Sequence, residues 1–475
     1  MAAPLSVLPS GLPAYPDPPV ALAGLHAFRA ALHACCPRRA DALVDLADAL
    51  LSTQGPVASL PRLSLEPAHR RGWGSLYAAL ACRRIDAERL RDLLAGCLLP
   101  ADPLVFAVDV TTWPRCDAEC SPERGLYYHP SRHSAGQPIV AGWAFQWIAQ
   151  LGFVRDSWTA PVDARRLHPT DDTDHTAAVQ VRALLARLPA GGPIPWFVFD
   201  AGYDSAQLSL ELADAGVAVL VRLRSDRCFY ADPPPRPPGA GGRPRRHVRL
   251  RRPGHLAGPD HHARGHRRPV RHGDGAGLGG AASQAAPPPR PRFWQAAADR
   301  ARHHPARPGR AHPGQDPPAE GAVAVVGRPR GLPAGSGACL AGLCPQVRLR
   351  AHHPLLQADP RLDHPRPRHP EQAERWTWLV LAGYTQLRLA RQLVADQRLA
   401  WERPRPPGQL SPYRVRRGFP RLLAALGSPA AAPKPSGRSP GRPKGHRSGP
   451  ALRHPAVKKP TKKPRKKRPT TTKAA

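Results

Sequence analysis

Two short apolar runs, each closing on an aspartate, constrain this 475-residue chain more than any other feature. The first is Leu104-Val105-Phe106-Ala107-Val108-Asp109-Val110, with its acid near the end. The second is Trp196-Phe197-Val198-Phe199-Asp200. Both read as buried strands. Between them, 139–148 and 153–162 read as strands, with Trp143, Phe145, Trp147 and Phe153 among their apolar residues. Thr170 to Asp174 can cap a helix running to about Leu188. A helix near 205–214 and a strand from Val217 to Leu223 follow. Strands first, then strand–helix alternation, predict an α/β fold around a mixed sheet.

The flanks differ. Residues 1–100 read as a helical N-terminal region, either a DNA-binding module or a helical cap on the rest of the chain. Leu22, Leu25, Phe28 and Leu32 fall at helical spacing, as do Leu43, Leu46 and Leu50. Another helix is expected from Asp86, with Leu90, Leu93 and Leu94 on one face and Pro100 as a stop. Residues 101–230 hold the strand pattern. Residues 231–370 are dominated by Pro, Arg, His, Gly and Ala and lose periodicity, and compact domains rarely carry loops so long. Residues 371–425 regain order in an apolar helix with Trp376, Leu379, Val380, Tyr384, Leu387 and Leu389. Residues 426–475 form a basic tail that cannot bury a core.

The formal net charge of +35 points to a polyanion, and DNA is the usual one. No Lys precedes Lys434, and with 62 Pro and 41 Gly this suggests a GC-rich gene. In the tail, Lys458, Lys459, Lys462, Lys463, Lys466, Lys467 and Arg468 stand between prolines and suit phosphate binding without sequence preference. Nine Cys at irregular spacing are no disulfide framework. With no signal peptide and no apolar run long enough for a bilayer, the expected location is cytoplasmic, with no membrane partner.

Two strand-end carboxylates can sit within a few Å of each other and bind divalent cations for in-line phosphoryl transfer. Such oxygen ligands suit Mg²⁺ or Mn²⁺. A strand-end acid alone is more often a cap or turn residue; here the context decides. Val-Phe-Ala-Val-Asp109-Val-Thr-Thr-Trp and Trp-Phe-Val-Phe-Asp200-Ala-Gly-Tyr-Asp resemble the first and second acidic motifs of the DDE transposases of bacterial insertion sequences. Ser157 to Ala164, Arg222 to Arg227, Arg375 to Trp378 and Tyr384 to Arg388 resemble that family as well. The resemblance covers roughly residues 20–230 and 370–425. It implies an RNase H-like mixed sheet with flanking helices, and an enzyme that carries out divalent-metal-dependent phosphoryl transfer at transposon ends. It makes Asp109 and Asp200 catalytic metal ligands, and Arg222 and Arg224 DNA contacts. The implied partner is double-stranded DNA, as transposon ends and target, bound by a homo-oligomer on the nucleoid.

The family's third acid, a Glu on a helix ahead of the Trp376 helix, has no counterpart. Glu320 lies in Pro-Pro-Ala-Glu-Gly, and Glu371 and Glu374 lack the family context. A frameshift accounts for the gap. Back-translated and read with one base skipped, Arg348 to Asp363 yields DFEHTIRFFKQTLGW, an amphipathic helix with the missing motif. The same offset serves about 248 to 364, with breaks near His247 and between His364 and Pro370. The expected consequence is an inactive copy. The rivals are a non-catalytic basic DNA-binding protein and an unfolded pseudogene product. Cys116, Cys120, His129 and His133 form a C-x3-C…H-x3-H set, read as a surface loop rather than a zinc site. Asp171, Asp172, Asp174 and His175 read as the acidic first turn of a helix.

Overall fold

The first apolar run continues into Thr111, Thr112 and Trp113, β-branched and aromatic residues that favour a pleated backbone. It forms strand β1, Val105–Pro114. Asp109 is therefore a mid-strand residue, not a strand-end one as the apolar run alone suggested. The computed structural model describes most of residues 17–223, the strand at 323–326, 365–435 and part of 441–457. Nearly all of 231–370, Phe153 and the 348–363 segment lie outside the described residues.

Six further strands complete the sheet: β2 (Gly125–Tyr128), β3 (Ile139–Leu151), β4 (Thr159–Leu167), β5 (Trp196–Phe199), β6 (Ala218–Arg222) and β7 (Val323–Val326). Their order is β2-β3-β1-β5-β6-β7, with β4 also paired to β3. Long β3 is antiparallel to β1 along one edge, and β2 and then β4 share its other edge. The strands β1, β5 and β6 run parallel. The sheet is thus mixed, as expected. The strand β4 starts later than the 153–162 pattern implied. Trp158 leaves the ladder to donate its indole Nε1–H to the Leu410 carbonyl (2.8 Å).

The N-terminal helices are α1 (Pro18–Ala34), α2 (Ala40–Ser52), α3 (Leu60–Leu63), α4 (Gly74–Cys82) and α5 (Ala87–Ala95). Helices α6 (Thr173–Leu185) and α7 (Ser205–Glu211) alternate with strands, and α8 (Pro370–Leu389) and α9 (Pro412–Leu426) follow. Local chemistry starts several of them. Asp86 accepts from Arg89 N (3.1 Å), Asp172 from His175 N (3.0 Å) and Asp204 from Ala206 N (3.0 Å), each satisfying an otherwise orphaned helix amide.

Strand alternation divides the sheet into two apolar faces. Phe106, Val108, Phe197 and Phe199 pack against Ala177, Val181 and Leu184 of α6 and Leu208 of α7. Trp113, Trp143, Phe145 and Trp147 pack on the other side with Leu25, Leu43 and Leu50 from the N-terminal helices and Trp376 and Tyr384 from α8. The helices of residues 18–95 and those beyond 370 thus share one core. At its edge, a Cβ on Gly142 would meet the Trp113 carbonyl oxygen at 2.1 Å, so β1 and β3 approach there as only glycine allows.

Buried polar groups fasten the layers. Asp163 on β4 accepts from Arg91 Nε (2.6 Å) and from Gln180 Nε2 (2.7 Å), joining α5, the sheet and α6. The Arg91 guanidinium also lies over the Trp378 ring, 5.0 Å from its centroid. Arg29 donates to both Asp48 oxygens (2.8 and 3.0 Å) and to Gln386 (2.7 Å), tying α1, α2 and α8 together. Among the described residues, no helix is long and apolar enough to cross a membrane.

Removing one partner of a buried ion pair strands the other charge, at a cost of about 3–5 kcal/mol. Arg91→Ala is therefore expected to lower the unfolding free energy by about that amount, measured by urea denaturation. A loss well under about 1 kcal/mol, the range of exposed pairs, would contradict the role given to the Asp163 fastener.

Candidate active site

The parallel register of β1 and β5 ends with Val108 opposite Phe199. The next residues on the two strands are Asp109 and Asp200, and neighbouring strands lie about 4.8 Å apart. Asp109 pairs with Trp147 of β3 across its other edge. By alternation it shares the face of Thr111 and Trp113, where Thr111 Oγ1 accepts from Trp147 Nε1 (2.7 Å). Asp109 is half-buried and Asp200, just past the end of β5, is exposed.

Burial, and then the neighbouring Asp200 charge, push the Asp109 carboxyl up to about 7. Its Oδ1 accepts from Val110 N (2.7 Å), which acts in the opposite direction without cancelling the rise. Two carboxylates that repel each other in a partly desolvated place form a hard oxygen donor set, whose repulsion a divalent cation offsets. The residues present therefore fit such an ion, although no described group of His, Cys, Asp or Glu reaches three members.

The loop carrying Asp200 runs directly into α7. Gly202 N donates to Asp200 Oδ1 (2.8 Å), and Asp204 N donates to Asp174 Oδ1 (2.8 Å). Gln146 Nε2 donates to the Tyr203 hydroxyl (2.9 Å). Burial pushes Asp174 up to about 7, with Asp172, Asp204 and Glu211 adding to the rise. Tyr203 and Gln146 were not singled out from sequence. Tyr203 stands in the second acidic motif, three residues after Asp200. The only sign of Gln146 is a polar side chain in an apolar strand that also carries Gln150, and both are buried.

The other candidates fall elsewhere. Glu374 on α8 pairs with Arg166 Nε (2.7 Å) and Glu371 is exposed in the first turn, whereas the charge acting on Asp109 is that of Asp200. Glu320 lies outside the described residues. Arg222 ends β6 with its side chain exposed. Arg224 lies outside the described residues, as do Lys458, Lys459, Lys462, Lys463, Lys466, Lys467 and Arg468. Cys116 and Cys120 are half-buried between β1 and β2, and their proposed partner His133 lies outside the described residues. Asp172 is a helix cap, in keeping with the first-turn reading of the 171–175 acids.

A family model described as DDE superfamily endonuclease matches residues 31–276, just over half of the chain. Among solved structures, the cryo-EM structure of a piggyBac transposase synaptic complex with hairpin DNA is similar at 14% identity and a TM-score of 0.25. That match covers 39% of this chain and 41% of the other. No curated protein matches the chain.

The rise at Asp109 has a sign that can be checked in metal-free protein. The fold holds its proton from about pH 4 to about pH 7, where the unfolded chain has lost it, so stability falls as pH rises through that window. Asp109→Asn removes this share of the decline. Its thermal midpoint is expected to exceed that of the unmodified protein at pH 8, by about 2–4 °C for each kcal/mol recovered. The two should converge near pH 4. Equal midpoints at pH 8 would show that Asp109 ionises there without penalty.

Proposed function

Because the chain belongs to the DDE superfamily endonucleases, we propose that it is the product of a bacterial insertion-sequence transposase gene. Its site is built for phosphoryl transfer at transposon ends, and this copy has lost strand transfer with its third acidic residue. The observation that carries the reading is the β1–β5 register, which sets Asp109 beside Asp200. Two strands rooted in the sheet hold the pair, with Thr111 and Trp147 fixing the surroundings of Asp109.

Asp109 and Asp200 are the residues that would hold the ion, Mg²⁺ or Mn²⁺. When bound, such an ion lowers the pKa of an attacking water or 3′-hydroxyl and stabilises the leaving oxygen. The chain's own contribution is to hold the two carboxyls side by side, where a bound cation would displace the proton that Asp109 otherwise keeps up to about pH 7. With two carboxylates instead of three, a second ion is held weakly, so little or no strand transfer is expected. Arg222, Arg224 and the Lys-rich tail would meet DNA phosphates, and such binding falls steeply with salt. The setting is the bacterial cytoplasm, on the nucleoid, with several copies on paired ends.

The net charge of +35 also favours a second reading, a basic DNA-binding protein without catalysis. Calorimetric Mn²⁺ titration separates the two. The transposase reading expects a bound ion that is lost in Asp109→Asn and in Asp200→Asn, while DNA binding persists in both. Mn²⁺ binding unchanged in both variants would leave only the DNA-binding reading. Resequencing the gene across the codons for 240–375 tests the frameshift. A base miscalled at each end would restore the acidic helix and overturn the inactive-copy reading. If the frame stands, the protein with Mn²⁺ and end-bearing DNA is expected to give no strand-transfer product.

A further inference from the structure

The loop from Asp200 to Asp204 carries half of the carboxylate pair, yet two of its contacts, Gly202 N to Asp200 Oδ1 and Tyr203 N to the Asp200 carbonyl (3.4 Å), are internal. Two others tie it to the rest of the fold. Asp204 N donates to Asp174 Oδ1 in the first turn of α6. The Tyr203 hydroxyl accepts from Gln146 Nε2, and the same amide nitrogen donates to the Thr173 carbonyl (3.2 Å). One buried side chain therefore ties β3, the loop and the start of α6 together.

Gln146 pairs across the ladder with Val110, the residue after Asp109. The stretch of sheet that positions Asp109 thus also carries the hook for the loop of Asp200. Tyr203 reaches that hook from the α6/α7 face, its ring edge-on to Phe199 at 5.1 Å. By strand alternation Asp109 belongs to the opposite face, with Thr111 and Trp147. Tyr203 nevertheless lies close enough to Asp109 and Asp200 for both charges to add to the rise that burial causes in its hydroxyl, and its bond from Gln146 holds the loop.

We propose that Gln146, Tyr203 and Asp174 are positioning residues that set the separation of Asp109 and Asp200, and through it the pair's affinity for a divalent cation. The proposal rests on the reading of that pair as metal ligands. Asp174 works here as a hydrogen-bond acceptor for Asp204 N, a task that an asparagine oxygen can also perform. Tyr203 works through its hydroxyl, while its ring packs independently of it.

The test is Mn²⁺ binding to the full chain at pH 8, by calorimetry and by the electron paramagnetic resonance signal of the bound ion. Loss of an outer partner of a metal ligand weakens affinity by about 10–100-fold. Tyr203→Phe and Asp174→Ala are expected to weaken Mn²⁺ binding within that range and to change the line shape of the bound ion. Asp174→Asn should bind like the unmodified protein. Because Asn replaces Asp174 without loss of packing, this pair of variants remains informative even if Tyr203→Phe fails to fold. Binding lost in Asp109→Asn and Asp200→Asn but unchanged in Tyr203→Phe and Asp174→Ala would overturn the positioning role alone. Equal loss in Asp174→Asn and Asp174→Ala would overturn it in favour of Asp174 as a direct ligand. Binding unaffected in Asp109→Asn and Asp200→Asn would overturn the metal-site reading, and this proposal with it.

Discussion

A single parallel register, Val108 against Phe199, is the constraint on which the site depends. Side chains alternate along a strand, so a slip of one residue would send Asp109 to the face packed by α6 and α7. The slip is blocked on both sides. Phe106 stacks on Phe197 at 5.1 Å within one apolar face, and Trp113, Phe145 and Trp147 fill the other. The acids are held in place by apolar neighbours that have no chemistry of their own. The energy of apolar burial is what holds the two carboxyls side by side although their charges repel.

Much of this was legible in sequence because it is local. The apolar runs announce β1 and β5, Asp86 and Asp172 announce their helices, and the motifs around Asp109 and Asp200 carry the resemblance that the family match bears out. Other features are written in pairs of residues far apart. Nothing near Arg29 says that its partners are Asp48 and Gln386, so the sequence leaves a DNA-binding module and a helical cap both open for helices that share a core with α8. The strand β4 begins only at Thr159, because Trp158 is apolar for the sake of the helices, where its indole meets Leu410. Gln146 is the clearest omission. A buried amide gives no periodic signal, and its value lies wholly in the Tyr203 and Thr173 atoms that it reaches.

The arginines also revise what the net charge means. Arg29, Arg91, Arg388, Arg391 and Arg416 are buried, and two of them lie over aromatic rings, Arg391 over Trp158 at 5.5 Å and Arg91 over Trp378 at 5.0 Å. A planar, weakly hydrated guanidinium can stack and donate in such places, where a lysine ammonium would have to be desolvated. The absence of lysine before Lys434 therefore has a structural use in this fold, whatever its origin in base composition. Part of the positive charge works as internal fastening and is unavailable to a DNA backbone.

The bond from Arg29 to Gln386 spans 357 positions of the chain. A ribosome releases the α1 side of that contact long before it makes the α8 side. Until the helix around Trp376 emerges, the apolar faces of Leu25, Leu43 and Trp143 have no final partner, and growing chains in this condition are open to aggregation. Translation that stops early would thus yield a sheet without its cover. Any change in reading frame that reached residue 370 without recovering would cost the cell a folded protein as well as an active site.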